Sequence, residues 1–447
     1  MNSTDKKNTI TRKDFVKRTS AAVGAGVLAG TLPVGASAYA AGSDTLTVAL
    51  IGCGGRGTGA ANNALRADPG LKIVAMADLF RARLDRSYDS LSRRYLEDGR
   101  LDVPEERKFT GFDAYKKAIP LADVVILTAP PGFRPAHFEE AVKHGKHMFC
   151  EKAIATDAPG VRRFMKAAEE ARKKKLNVTI GLQRRYQNSY RTVYQKLREE
   201  DIIGKILSGH ATWNEAGVWV RQKEEGMSEL EYQIHNWFYF TWVAGDQILE
   251  QNIHNIDICN WYIGEYPATA QGMGGREVRT GREHGQIFDH NFIEYTYPGG
   301  AVISAQCRHQ PNTFFRVGEH LQGTKGTITF EGVNSNDAII KDHDGNTLYD
   351  HYGLEDVSPY QQEHNELFAS IRSGGHIDDT DYAAKTTLTA IMGRMASYSG
   401  QMITWDEALN SDAQLMPFEV NADTPPPVLP DENGFYPVPV PGVSEPH

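Results

Sequence analysis

A chain of 447 residues is long enough for two or three domains of about 100–200 residues each, and a composition of 40% hydrophobic and 23% charged residues is ordinary for a soluble globular protein. A formal net charge of -9 argues against general binding to nucleic acid or to anionic membranes, since both favour basic surface. The cysteines Cys53, Cys150, Cys259 and Cys307 lack CxxC or zinc-ligand spacing, so they read as buried small hydrophobes, and neither a disulfide framework nor a metal centre is expected.

Residues 1–40 read as an export signal. The first half is polar and basic. The second is an uncharged Gly/Ala-rich run ending in Ala38-Tyr39-Ala40, the small-x-small pattern that precedes signal cleavage. Thr11-Arg12-Lys13-Asp14-Phe15-Val16-Lys17 resembles a twin-arginine box, with Lys13 where the second arginine would stand. The weak hydrophobicity of the following run fits that route, which exports folded protein, and a periplasmic or otherwise exported protein is expected. A membrane anchor is not, because a span needs ~20 strongly apolar residues and this run is broken by glycines and Pro33.

From residue 45 to 186, short apolar runs alternate with helical patterns. Strands are expected at 45–52, 72–78, 122–128, 146–151 and 178–181, and helices at 59–67, 84–95, 137–144 and 161–175. That alternation predicts a doubly wound parallel sheet, the Rossmann arrangement. Residues 187–415 change character. Longer, more aromatic strands at 207–213, 292–297, 301–307 and 326–330, separated by turns such as Pro298-Gly299-Gly300, predict a second α/β domain around a large, mostly antiparallel open sheet. Helices return at 359–373 and 382–399. The tail, 416–447, contains Pro425, Pro426, Pro427, Pro430, Pro437, Pro439 and Pro441 and reads as an extended strap or a disordered segment.

Gly52-Cys53-Gly54-Gly55-Arg56-Gly57 matches G-x-G-x-x-G between the first strand and the first helix. The first glycine permits the turn, the second lets backbone approach a pyrophosphate, and the third lets helix pack on strand. The helix N-terminus then offers free N–H groups and partial positive charge to phosphate. Asp78 ends the second strand, roughly 20 residues on, where a carboxylate accepts from both ribose hydroxyls and repels a 2′-phosphate. NAD is therefore expected rather than NADP, with Arg81 as the cation placed to reach a 2′-phosphate.

Glu151-Lys152 follows a sheet strand at its carboxyl end, where ligands bind in open α/β sheets. Glu250 and His254 are four apart and share one face if helical. A lysine and a histidine beside a nicotinamide make a workable relay for alcohol oxidation: hydride leaves carbon while a base takes the hydroxyl proton. Lys152 is expected to hold the substrate oxygen, His254 to accept the proton and Glu250 to orient it. Glu250 with His254 lacks a third ligand, so no metal is expected.

These features resemble the Gfo/Idh/MocA family of NAD(P)-dependent oxidoreductases. The resemblance rests on the glycine loop, on Thr128-Ala129-Pro130 with His137, and on Gly145-Lys146-His147 running into Glu151-Lys152. It extends to Glu250-x-x-x-His254-x-x-Asp257, to Gly323-Thr324-Lys325-Gly326, and to Glu363-His364-Asn365-Glu366-Leu367 through Gly393-Arg394 and Trp405. It implies sugars, sugar alcohols or glycosides as substrates, and a homo-oligomer, dimer or tetramer, through the open sheet. It places the catalytic lysine on Lys152 and the family's Asp-x-x-x-His pair on Glu250 and His254, with Ala153 where a proline usually follows the lysine. The glycoside-cleaving branch shows Tyr-x-x-His, whereas position 251 is Gln251. Gly52, Gly54, Gly55, Arg56, Gly57, Asp78, Thr128, Pro130, His137, Glu151 and Lys152 are the expected cofactor residues. Gln183, Arg184, Tyr186, Asn214, Trp219, Arg221 and His254 are candidate substrate contacts, with Arg308 and His309 behind them, and the aromatic run at 237–242 is expected mainly in the core. With free NAD scarce outside the cytoplasm, a tightly held nucleotide loaded before export is expected.

Overall fold

The computed structural model describes residues 45–332, 337–354 and 356–447. The export signal expected at 1–40 lies outside them. The first domain runs β1 (Leu46–Ile51), α1 (Gly55–Ala67), β2 (Leu71–Asp78), α2 (Arg81–Tyr95), β3 (Lys108–Thr110), α3 (Ala114–Ala118), β4 (Val124–Leu127), α4 (Arg134–Lys143), β5 (His147–Cys150), α5 (Ala158–Lys173) and β6 (Val178–Ile180). Its six strands are all parallel, in the order β3-β2-β1-β4-β5-β6. Val48, Ala49, Leu50 and Ile51 of β1, and all four residues of β4, are buried on both faces, as a parallel sheet covered by helices requires. Chain order reverses between β1 and β4, which opens a crevice beyond their carboxyl ends. Helix α5 starts three residues earlier than its periodicity predicts, because Asp157 caps it, accepting from Gly160 N at 2.7 Å.

The second domain contains α6 (Asn188–Glu199), β7 (Ile206–Glu215), α7 (Glu229–His235), α8 (Thr241–Ala244), a π-helical turn at Ile248–Asn252, α9 (Ile253–Ile263), β8 (Thr269–Gly275), β9 (His290–Thr296), β10 (Val302–His309), β11 (Arg316–Gly323), β12 (Gly326–Glu331), β13 (Asp337–Asp342), β14 (Thr347–Asp350), α10 (Pro359–Ser373), α11 (Thr380–Ser399), β15 (Ile403–Thr404) and α12 (Trp405–Asn410). Nine strands form one sheet, β14-β13-β12-β11-β7-β10-β9-β8-β15. Its pairings are antiparallel except β7 with β10, which is parallel. Ile293, Tyr295, Ile303, Ala305, Cys307, Val317 and Leu321 are buried in one core with residues of α9 and α11, while alternate residues such as Met273 and Phe292 are exposed on the opposite face.

Two features depart from a simple two-piece chain. Helix α10 returns to the first domain, where Leu367 and Phe368 join the core over β1 and α1. Each such side chain contributes about 1.5–3 kcal/mol by burial. The Arg372 Nε donates to Asp68 at 2.7 Å beside them. The proline-rich tail is a packed strap: Gln233 donates to Val428 O at 2.7 Å, Tyr436 packs edge-on against Phe240, and Gly442 N donates to Ser399 O at 2.7 Å. All four cysteines are buried and free. Among the described residues no helix is long and apolar enough to cross a membrane, and no cluster of three metal-ligating side chains occurs.

Candidate functional site

A cleft of about 1130 Å³ runs along the carboxyl ends of the first sheet and is walled on its far side by the second domain. The glycine loop forms one end of it. Gly52 has φ +95°, and a Cβ there would lie 2.4 Å from Ala129 N. A Cβ on Gly57 would lie 1.9 Å from Gly52 O, so the helix could not close on the strand. Gly54 and Gly55 differ: no described atom lies within 4 Å of a Cβ placed on either. Their backbone therefore faces open cleft, and α1 begins there with no side-chain cap and no acidic residue in its first turn. Free N–H groups, the positive helix end and an uncrowded backbone fit a pyrophosphate.

Around the loop, Thr128 Oγ1 donates to Gly52 O at 2.7 Å and to Ile51 O at 3.1 Å, so this hydroxyl holds the turn in shape. Asp78 accepts from Cys53 N at 2.7 Å and from Phe80 N at 2.9 Å. Burial raises its pKa, with the two N–H donors, Arg83 and Arg221 opposing. Pro130 and His137 line the cleft, and His137 lies over Tyr115 at 4.2 Å with its pKa lowered by burial to about 3. Arg56 points across the loop to other protein groups. It pairs with Glu151 through Nε and with Glu363 of α10 through Nη2 at 2.6 Å. Burial pushes the Glu363 carboxyl well above its usual range against the pull of Arg56.

The catalytic candidates converge in the same cleft. Glu151-Lys152 follow β5, and Gly181 at the end of β6 leaves room for Glu151, whose carboxylate would lie 2.8 Å from a Cβ there. The Lys152 ammonium donates to Glu250 O and to Glu250 Oε2, the latter at 3.2 Å. The Lys152–Ala153 peptide is cis, and the lysine reaches the cleft with alanine in place of proline. Glu250 sits in the π-helical turn that feeds into α9, one turn before His254, and both line the cleft. π-Turns inside helices are frequent at functional sites. Burial raises the Glu250 pKa, offset by Lys152. Burial, then the charges of Lys152, Arg184 and Arg56, hold His254 well below the ordinary histidine range, so its imidazole is neutral. His254 Nδ1 and Glu250 Oε1 are buried with no partner among the described residues. Asp257, the last member of that motif, instead takes a bidentate pair from Arg185 at 2.7 and 2.9 Å.

The substrate candidates divide. Gln183 lines the cleft and its Oε1 is unpartnered among the described residues. Arg184 is buried in an ion pair with Glu319, which also accepts from Tyr190 OH and Asn255 at 2.9 Å, so its charge is satisfied within the core. Tyr186 OH donates to Asp379 at 2.6 Å, and Asn214 donates to Gln306 at 3.1 Å across the sheet. None of these three lines the cleft. Arg308 donates to Phe314 O at 2.6 Å, and His309 meets Gln251 at 2.6 Å. Trp219 and Arg221 do line the cleft, but Arg221 lies in the field of Asp78, Arg83 and Arg86, at the ribose-carboxylate end. Arg81, the expected 2′-phosphate contact, pairs instead with Asp85 at 2.9 Å and with Glu105. The lining residues that sequence reasoning missed include Arg83, His235 and Tyr360, and Trp237 lines the cleft from a run expected mainly in the core. Arg83 had a usable signal, since it stands in the first turn of α2 just after Asp78.

A Rossmann sheet, a glycine loop open to a cleft and a carboxylate at the end of β2 define a dinucleotide-binding type of domain. Residues 46–181 match the family model described as "Oxidoreductase family, NAD-binding Rossmann fold", that of Gfo/Idh/MocA, so this domain is similar to the NAD-binding domains of that family. Among curated proteins, the chain is 29% identical over 222 residues to 2,7-anhydro-N-acetylneuraminate hydratase of Escherichia coli, covering 47% of this chain and 52% of that protein. It is 24% identical over 287 residues to an inositol 2-dehydrogenase of Rubrobacter xylanophilus, covering 64% of this chain and 71% of that one. Thus the chain spans 52% and 71% of the length of these two relatives. Solved structures share the fold across both domains. They include an aldose-aldose oxidoreductase from Caulobacter crescentus, complexed with glycerol (TM-score 0.64, 16% identity, 80% of this chain and 99% of that one). A levoglucosan dehydrogenase in complex with NADH gives TM-score 0.62 at 18% identity, with the same coverage.

Proposed function

We propose that this protein is an NAD-dependent oxidoreductase that converts a ring hydroxyl of a sugar or glycoside to a ketone. The observation that carries the reading is the meeting of Lys152, Glu250 and His254 in the cleft that begins at the glycine loop. The names of the relatives, among them inositol 2-dehydrogenase and levoglucosan dehydrogenase, support the substrate class.

The bound nicotinamide supplies the hydride acceptor. His254, neutral in its buried setting, takes the hydroxyl proton. Lys152 donates a hydrogen bond to the substrate oxygen and stabilises developing alkoxide, its ammonium held in place by the Glu250 carbonyl and carboxylate. Gln183 offers a free acceptor for a neighbouring hydroxyl.

We further propose that the protein is exported folded, with nucleotide held in the cleft, and that it forms a homo-oligomer through the exposed sheet face bearing Met273 and Phe292. A second reading, in which the nucleotide is regenerated within each turnover so that the net reaction is cleavage or isomerisation, is favoured by the hydratase and aldose-aldose oxidoreductase names among the similar proteins. The deciding experiment incubates dialysed protein with a panel of glycosides and reads products by mass spectrometry. Loss of two hydrogens supports oxidation. Release of aglycone without added NAD supports the second reading. No turnover by wild type despite intact ligand binding overturns both in favour of a binding protein.

A further inference from the structure

The π-helical turn that bears Glu250 also bears Gln251, and Gln251 is gripped by two side chains that do not line the cleft. Its Nε2 donates to Glu215 Oε1, and its Oε1 meets His309 Nε2 at 2.6 Å. Glu215 ends β7 and His309 ends β10, and the two are register partners in the parallel pairing of the second sheet. Parallel strands end at the same edge, so both side chains meet the turn from one side. An ionised carboxylate only accepts, and this fixes the direction of the whole chain of bonds. Glu215 makes the Gln251 amide present its N–H, so the amide oxygen faces His309, and His309 carries its proton on Nε2. Burial lowers the His309 pKa to about 3, so its ring is neutral. Phe238 stacks on that ring at 5.5 Å, and His309 N donates to Asp289 O at 2.8 Å.

Glu215 Oε1 accepts a second bond, from Trp213 Nε1 at 3.0 Å. The Trp213 ring lies 5.9 Å from that of His254, and both residues are buried, so the indole is part of the cover that keeps water from the imidazole. One carboxylate oxygen thus holds both the turn that carries Glu250 and the ring that covers His254. We propose that Glu215 is a positioning residue for the reaction, placing Glu250 through Gln251 and His254 through Trp213, with His309 as the fixed far end of the chain. This rests on the oxidoreductase reading of the cleft, and it makes His309 a support rather than a substrate contact. Lys152 depends on the same turn, since both of its acceptors belong to Glu250. Displacing a reacting group by about 1 Å can cost about a hundredfold in rate. The charges acting on His254, which Glu250 precedes by one turn, are those of Lys152, Arg184 and Arg56, and Glu215 reaches it through Trp213.

The test compares Glu215→Ala and Glu215→Gln in the full-length protein by two readouts. One is kcat on a substrate of the wild type. The other is the titration of the His254 ring, followed by NMR on histidine-labelled protein and assigned by its loss in His254→Asn. In Glu215→Ala, kcat should fall about tenfold or more with nucleotide affinity unchanged. His254 should titrate at higher pH than in wild type, because a loosened Trp213 lets water reach it. Glu215→Gln should restore both, since an amide oxygen accepts the same two bonds. An unchanged kcat in Glu215→Ala overturns the proposal. So does a lower melting temperature with His254 titrating as in wild type, which makes Glu215 structural only, and so does a shift of His254 to lower pH, the sign expected of a lost negative charge. A wild type without turnover overturns the oxidoreductase reading, and the His254 titration then decides alone whether Glu215 sets that ring. If Glu215→Ala does not fold, Gln251→Met carries the test: kcat should fall about tenfold with nucleotide affinity unchanged, and an unchanged kcat overturns the proposal.

Discussion

Lys152 and Glu250, 98 positions apart in the chain, meet with Nζ 3.2 Å from Oε2, and the same ammonium donates to the Glu250 carbonyl. Both groups are largely buried in the cleft wall, so the pair is an anchored cation rather than a solvated surface contact. Lys152→Ala should lower kcat by about a hundredfold or more while nucleotide still binds. Steady-state kinetics beside a nucleotide titration check this, and unchanged turnover would remove the lysine from the mechanism.

Glu250 is the longer homologue of the aspartate that the family resemblance implies, and it holds Lys152 by side chain and backbone together. Glu250→Gln should keep the carbonyl contact and lose the charge. With one of its two anchors weakened, the lysine is held less firmly against the substrate oxygen, so kcat should fall while nucleotide affinity holds. Steady-state kinetics indistinguishable from wild type would show that the carboxylate does not position the lysine.

The acid side follows from His254. Its pKa is held below 6.5 by burial and by neighbouring cations, so the imidazole remains a competent base at pH 6 and loses activity only further down. Stability has the same sign. His137 and His309, each lowered by burial to about 3, stay neutral when folded, whereas in the unfolded chain they take protons near the ordinary histidine pKa of about 6.5. Below that value the unfolded state binds more protons. Their contribution is therefore fully present above about 6.5 and drains away as the pH falls towards 3. Denaturant titrations at pH 7.5 and 5 (roughly either side of that pKa) should show the loss, and equal midpoints would contradict it.

Gly57 and Gly54 should separate folding from binding. Gly57→Ala drives a Cβ to 1.9 Å from Gly52 O and should unfold or severely destabilise the first domain. Gly54→Ala meets no described atom, so the melting temperature should hold while nucleotide affinity falls about tenfold. Calorimetric melting and binding on both variants provide the readout.

Glu363 joins α10 to the glycine loop through Arg56, 307 positions away. Glu363→Ala removes the carboxyl that accepts from Arg56 Nη2, leaving Arg56 with Glu151. A loss of about 1–3 kcal/mol is expected from the weakened buried contact, read as a shift in denaturant midpoint.

What local pattern encodes was legible beforehand. The parallel sheet, the turn at Gly52, a helix after the glycine loop and the carboxylate at Asp78 all follow from periodicities and residue types within a window of a few tens of residues, although that helix begins at Gly55 rather than at the expected Gly59. Lys152, Glu250 and His254 were legible as candidates because each sits at a position with local meaning, a strand end or a helix face. Arg184, Tyr186 and Asn214 have no such mark: a polar side chain reads alike whether it faces a ligand or another side chain. Only packing shows that they pair with Glu319, Asp379 and Gln306 in turn.

By itself, then, the sequence determined a glycine loop, a carboxylate at the end of β2 and the two kinds of sheet, because backbone geometry and hydrophobic burial are written in short-range pattern. The tertiary structure decided who meets whom. It sent Arg56 to Glu363, paired Arg81 with Asp85 and Glu105, and brought Arg221 from the second domain to stand beside Arg83 and Asp78. Charges pair by distance in space, and chain closure can bring any two positions together. A cleft lined by residues of both domains is therefore settled only when the second domain is laid across the first.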